Sequence, residues 1–148
     1  MLKGVPKIIS PKLLRILAEM GHTSELVIGD GNCSIPEWVK ANDAVLVRCD
    51  GVGAAELLDA ILTLIPLDFT DDPVRIMDMP DGFQAPIWDK YREIVAKHDP
   101  RGAKLVTPVP QMEFYEQAKK CGVVIATTES EVCANVIIKK GVIYPGEN

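Results

Sequence analysis

Apolar positions along this chain alternate between helical spacing and short unbroken runs. Leu13, Leu14, Ile16, Leu17 and Met20 fall along one broad face at helical period. Ser10 followed by Pro11 supplies a hydroxyl cap and a preset first helical residue. Gly21 directly after the last apolar position predicts a left-handed helix end. The run Leu26-Val27-Ile28 predicts a buried strand, closed by the turn-forming Gly29-Asp30-Gly31-Asn32. Residues 44–47 predict a second strand that leaves through Asp50-Gly51. A helix follows over 56–65, with Leu57, Leu58, Ile61, Leu62 and Ile65 facing inward and Pro66 stopping it. Further on, 74–77 reads as a short strand and 86–97 as an amphipathic helix burying Ile87, Trp88, Tyr91, Ile94 and Val95. Residues 103–106 read as extended and 112–120 as helical, and 123–126, 136–138 and 142–144 read as strands.

Strands separated by helices of about ten residues imply an α/β fold with a mostly parallel sheet covered by helices on both faces. The last three extended segments have no helix between them, which predicts short antiparallel strands near the C-terminus. A chain of 148 residues fits a single domain over 1–148. With 47% hydrophobic and 25% charged residues, it has enough apolar surface to offset the entropy of ordering. The formal charge of −5, with no basic run, argues against nucleic acid and anionic membrane and favours a neutral small-molecule partner. The N-terminal residues carry no secretory pattern, and the apolar stretch 60–67, broken by Thr63 and Pro66, is too short to span a bilayer. Cys33, Cys49, Cys121 and Cys133 are scattered, with no paired spacing and no histidine at ligand distance. They read as free thiols of a cytoplasmic protein, with no metal site.

Candidate chemistry is sparse. His22, just after a helix, is either a surface imidazole near a helix end or a general acid or base, because its ring titrates near neutral pH. Asp30 is either a turn residue or a ligand-binding carboxylate, since open α/β sheets collect ligands beyond the carboxyl ends of their strands. Asn135, ahead of Val136-Ile137-Ile138, is likewise a turn residue or a hydrogen-bonding partner for a polyol. His98, between Lys97 and Asp99-Pro100, reads as solvated surface. Gly51-Val52-Gly53 lacks the remaining elements of a phosphate loop.

Several segments taken together go further. These are Leu2-Lys3-Gly4, Ile9-Ser10-Pro11-Lys12-Leu13-Leu14, Ala18-Glu19-Met20-Gly21-His22-Thr23 and Leu26-Val27-Ile28-Gly29-Asp30. In that order they resemble the N-terminal signature of the fucose mutarotase and ribose pyranase family. The segments Asp50-Gly51, Ile65-Pro66-Leu67-Asp68, Phe114-Tyr115-Glu116-Gln117-Ala118 and Asn135-Val136-Ile137-Ile138-Lys139-Lys140-Gly141-Val142 are similar to the fucose branch.

The resemblance implies a small α/β subunit in a ring-shaped homodecamer, with sites at subunit boundaries and no metal or organic cofactor. The implied reaction interconverts anomers of a free monosaccharide, most closely L-fucose. It places proton transfer on His22 and sugar contacts on Asp30 and Asn135. Two further positions depart from the family pattern. Gln111 stands where fucose-type members carry arginine, and Cys133 stands where the C-terminal motif opens with tyrosine. Both are expected to contact the sugar, and a non-catalytic sugar-binding or regulatory relative of the family is the alternative that these two departures raise.

Overall fold

The computed structural model describes residues 2–147. The elements run α1 (Pro11–Glu19), β1 (Glu25–Gly29), α2 (Ile35–Ala41), β2 (Val45–Cys49), α3 (Ala54–Leu62), β3 (Val74–Asp78), α4 (Pro86–His98), β4 (Val106–Pro110), α5 (Gln111–Ala118), β5 (Val123–Thr127) and β6 (Val136–Lys139). The six strands form one sheet in the order β2-β5-β1-β6-β3-β4. Parallel pairs join β2 to β5, β5 to β1 and β3 to β4, whereas β6 lies antiparallel between β1 and β3. The antiparallel pairing expected near the C-terminus is therefore present. Its partners are β1 and β3 rather than the neighbouring C-terminal segments.

Both faces of the sheet are covered because its central strands are apolar on both sides. Leu26, Ile28, Ile76, Val136 and Ile138 face α1, α3 and α4 through Leu13, Leu57, Leu58, Ile61, Trp88 and Tyr91. The intervening Val27, Met77, Val124 and Ile137 face α2 and α5 through Trp38, Phe114 and Ala118. The alternation of strand side chains thus divides the core into two layers.

Four local expectations change. Helix α2 went unforeseen because its seven residues carry too few apolar positions to show a period; Trp38 alone is fully buried on it. Residues 103–105 form a short 3₁₀ turn, and the strand begins at Val106. Pro108 and Pro110 sit in that strand without loss because β4 is an edge of the sheet. Residues 142–144 form no strand, because β6 already occupies the adjoining edges of β1 and β3. His98 is not solvated: its side chain is 16% exposed, and its Nε2 lies 2.6 Å from Asp59 on α3.

The end of α1 also differs from expectation. Gly21 does not adopt the left-handed conformation, which belongs to Thr23 (φ 67°). The helix stops at Met20 in extended backbone. Lys140, just past β6, donates its ammonium to the carbonyls of Leu17 (3.1 Å) and Met20. A lysine from the far end of the chain thereby satisfies carbonyls that the helix leaves open. Burial lowers the pKa of this lysine. Lys140→Met keeps the apolar stem and removes the donor. Hydrogen bonds to a charged group contribute about 1.5–3 kcal/mol, and at about 2–4 °C per kcal/mol for a chain near 150 residues the melting temperature should fall by roughly 3–12 °C. An unchanged thermal melt would remove Lys140 from this capping role.

Candidate functional site

The antiparallel register Ile28↔Val136 sets the exit of β1 beside the entrance of β6. Asp30 and Asn135 lie just beyond that pair and close a two-way clasp. The Asp30 amide donates to Asn135 Oδ1 (2.9 Å), and Asn135 Nδ2 donates back to Asp30 Oδ2 (3.0 Å). The amides of Ala134 (3.2 Å, to Oδ2) and Asn32 (2.9 Å, to Oδ1) complete the carboxylate's partners. Asp30 is 4% exposed and Asn135 3% exposed. Burial raises the Asp30 pKa, and the hydrogen bonds from Asn32, Ala134, Asn135 and Cys33 oppose that rise without cancelling it.

The clasp forms the floor of a small open recess of about 170 Å³, walled by Gln111, Tyr115, Cys33 and Cys133. Gln111 opens α5, and its Nε2 donates to the Tyr115 hydroxyl (3.2 Å) one helical turn on. Cys133 adopts a left-handed backbone (φ 59°), and its carbonyl accepts the Trp88 indole N–H (2.8 Å). The Ala134 carbonyl accepts the Tyr91 hydroxyl, so α4 braces this wall from inside the core. The thiols are not activated. Burial and the Asp30 charge push Cys33 up to about 12 and also raise Cys133.

Four of the sequence-derived candidates, Asp30, Gln111, Cys133 and Asn135, thus meet at one recess. His22 does not join them within the chain. It precedes β1, whereas Asp30 follows it, and the five residues of β1 span roughly 17 Å at about 3.3 Å per residue. At that opposite end His22 Nε2 lies 2.9 Å from Asp68 Oδ2, with the imidazole 40% exposed and Asp68 fully buried. Burial alone would raise the Asp68 pKa. Its hydrogen bonds with Thr70, the Lys139 charge and the His22 contact outweigh that and hold it below the ordinary value. An ionised carboxylate only accepts, so the His22 proton rests on Nε2 and Nδ1 is left as the available ring nitrogen. The Phe69 ring packs 5.5 Å from the imidazole.

Sequence reasoning assigned no role to Asp68 or Tyr115. The separation of 46 residues between His22 and Asp68 leaves no local signal. The Gln111–Tyr115 pair was accessible, since residues four apart share a helix face. Among the described residues, no group of three or more His, Cys, Asp or Glu is placed to hold a metal ion.

A small α/β protein thus carries a polar recess at the carboxyl end of β1 and a carboxylate-oriented histidine at the other end. Residues 3–143 match the RbsD / FucU transport protein family, and the chain belongs to that family. It is 44% identical over 151 residues to the fucose mutarotase of Danio rerio, covering 99% of this chain and 97% of that protein. FucU from Bifidobacterium longum superposes with a TM-score of 0.91 at 46% identity, covering 96% of this chain and 100% of that one. The fucose mutarotase of Streptococcus pneumoniae, solved in complex with L-fucose, gives a TM-score of 0.85 at 41% identity over 97% and 100% of the two chains.

The Asp68 geometry carries a pH signature. Its folded-state pKa lies below the unfolded value of about 3.9. Its stabilising contribution is therefore present above about pH 3.9 and lost as pH falls through the folded value. Urea midpoints of the parent protein and Asp68→Asn should differ most near neutral pH and converge in acid. A difference that stays constant across the acid range would contradict an ionised, stabilising Asp68.

Proposed function

We propose that this chain is an L-fucose mutarotase, interconverting the α and β anomers of the free sugar through ring opening and reclosure. The observation that carries this reading is the pair of complementary half-sites, a hydroxyl-binding recess and an oriented imidazole, in a chain that matches fucose mutarotases along nearly its full length. His22 Nδ1 takes the proton of the anomeric hydroxyl. The bond from the anomeric carbon to the ring oxygen breaks with its electron pair going to that oxygen, which is protonated by a donor in the recess or by water. The open-chain aldehyde rotates and recloses on its other face as the transfers reverse. Positioned proton transfer of this kind contributes about 10²–10⁴-fold.

The recess supplies the sugar contacts. Asn135 keeps a second amide hydrogen, Asp30 keeps free lone pairs, and the Gln111 carbonyl is available to accept. The Tyr115 hydroxyl accepts from Gln111 and so retains its own proton to give to a sugar oxygen. His22 reaches this recess from a second copy of the chain. Exposed apolar residues flank both half-sites: Phe69, Val142 and Tyr144 on the histidine side, and Met112 and Val132 on the recess side. Joining unlike surfaces head to tail generates a ring when the rotation closes. A ring-shaped homodecamer formed by the single domain 1–148 fits that arrangement. A cytoplasmic setting fits four cysteines that are all unpaired. No helix among the described residues is long and apolar enough to cross a membrane.

One observation favours a second reading, a sugar-binding relative without catalysis: the recess holds an uncharged Gln111 and a protonated Cys133 at two contact positions. Saturation-transfer NMR on L-fucose anomers, run beside a binding titration, separates the two. Accelerated exchange supports the mutarotase, and binding with exchange at the uncatalysed rate supports the alternative. His22→Ala should lose at least about tenfold in exchange rate, some 1.4 kcal/mol of barrier, while light scattering shows the same large oligomer. Undiminished exchange would take proton transfer away from His22, and a stable monomer would refute the shared site. Exhaustive chelation should leave exchange intact; a loss restored by one particular metal would contradict acid–base chemistry by side chains alone.

A further inference from the structure

The loop that carries Asp68 is held by a device on another element. Asp68 is fixed on its incoming side by the hydrogen bond from its amide to the Lys139 carbonyl (3.0 Å), directly after the bridge between Leu67 and Lys140. On its outgoing side the chain turns sharply, and the Thr70 amide donates to Asp68 Oδ1 (3.0 Å). The peptides of that turn are gripped by Arg101. Its Nη2 donates to the Asp68 carbonyl (2.7 Å) and its Nη1 to the Thr70 carbonyl (3.1 Å). Asp99, directly after α4, accepts Nε at Oδ1 (3.0 Å) and Nη2 at Oδ2 (2.8 Å). The Asp99 amide in turn donates to the Val95 carbonyl (2.9 Å), which ties the residue to the last turn of the helix. A planar guanidinium held in this bidentate way has little freedom left, so its remaining hydrogens point at fixed places.

We propose that Arg101, oriented by Asp99, is a positioning residue for the imidazole of His22. It holds the 68–70 turn so that the Asp68 carboxylate meets Nε2 and keeps Nδ1 directed outward. The proposal rests on the reading of His22 as the proton-transfer group, but it concerns a residue that touches neither sugar nor imidazole. The geometry is demanding because His22 is half exposed and sits in a loop, with the Phe69 ring as its neighbour and Asp68 as its polar contact. A turn that drifts by an ångström loses that contact and lets the ring rotate or change tautomer. Displacements of about 1 Å in a reacting group can cost on the order of 100-fold in rate.

The test compares Arg101→Ala and Arg101→Lys with the parent protein in two measurements on the assembled oligomer. Nitrogen NMR of histidine-labelled protein, with His22 assigned by its loss in His22→Ala, reads which ring nitrogen carries the proton when the imidazole is neutral. The parent should show Nε2–H alone, and Arg101→Ala should show a mixture of tautomers. Saturation-transfer kinetics on L-fucose should show the turnover rate reduced about tenfold with KM little changed, because the recess is untouched. Arg101→Lys keeps the charge but cannot span both carbonyls, so it should fall between the two. That variant carries the same test if the alanine variant does not fold. A parent-like tautomer and a parent-like turnover rate in Arg101→Ala would overturn the proposal. The tautomer reading judges Arg101 whatever His22 does in turnover. Parent-level exchange by His22→Ala would instead defeat the mechanistic reading alone.

Discussion

Strand β6 lies between β1 and β3, antiparallel to both, and both half-sites depend on that pairing. It is four residues long and fully apolar over its first three positions. Its entrance delivers Asn135 to Asp30 at the carboxyl end of β1. Its exit delivers Lys139 and Lys140 to the opposite end, where the first lies near Asp68 and the second closes α1 just ahead of His22. A slip of one residue would turn Val136, Ile137 and Ile138 to the wrong layers of the core and separate both sets of partners. The hydrophobic sandwich around β6 is thus what sets the geometry of the polar groups.

Those polar groups are expensive to bury. Asp30 and Asp68 are nearly or wholly withdrawn from water, and desolvation is the largest influence on each. Their environments then separate them. Asp30 ends with a raised pKa because its hydrogen bonds do not offset burial, whereas at Asp68 hydrogen bonding from Thr70, joined by the Lys139 charge and the His22 contact, outweighs burial and leaves a lowered one. The difference suits their parts in the proposed chemistry. One carboxylate is built into a recess for hydroxyl groups, and the other fixes the tautomer of an imidazole.

Much of this was legible in the chain. Helices that open on a proline and carry several inward positions, such as α1 and α4, announce themselves, as do the apolar runs of β1, β5 and β6. The gathering of Asp30, Gln111, Cys133 and Asn135 followed from resemblance, and the recess places them together. What escaped had physical reasons. Helix α2 is too short for a period to emerge, and the prolines of β4 disguise a strand that tolerates them only as an edge. The run at 142–144 is apolar enough for a strand, yet β6 already fills the antiparallel place between β1 and β3. The partners of His22 and His98 lie 46 and 39 residues away, so nothing local distinguishes a paired histidine from a solvated one. The two ends of β1 also show why four contact residues and one histidine, all expected at one sugar, do not converge within a single chain.

In the proposed mechanism one sugar is handled by two copies of this chain, the recess of one and the histidine of the other. Mixing two variants, His22→Ala and Asp30→Ala, each expected to be strongly impaired alone, tests that arrangement. Co-assembled in equal amounts, they place an intact histidine against an intact recess at about one boundary in four of a head-to-tail ring. L-fucose anomer exchange should therefore return to roughly a quarter of the parent rate per site. If hybrid oligomers form and the mixture stays as inactive as its components, the histidine and the recess do not act across a subunit boundary, and the account is wrong at its centre.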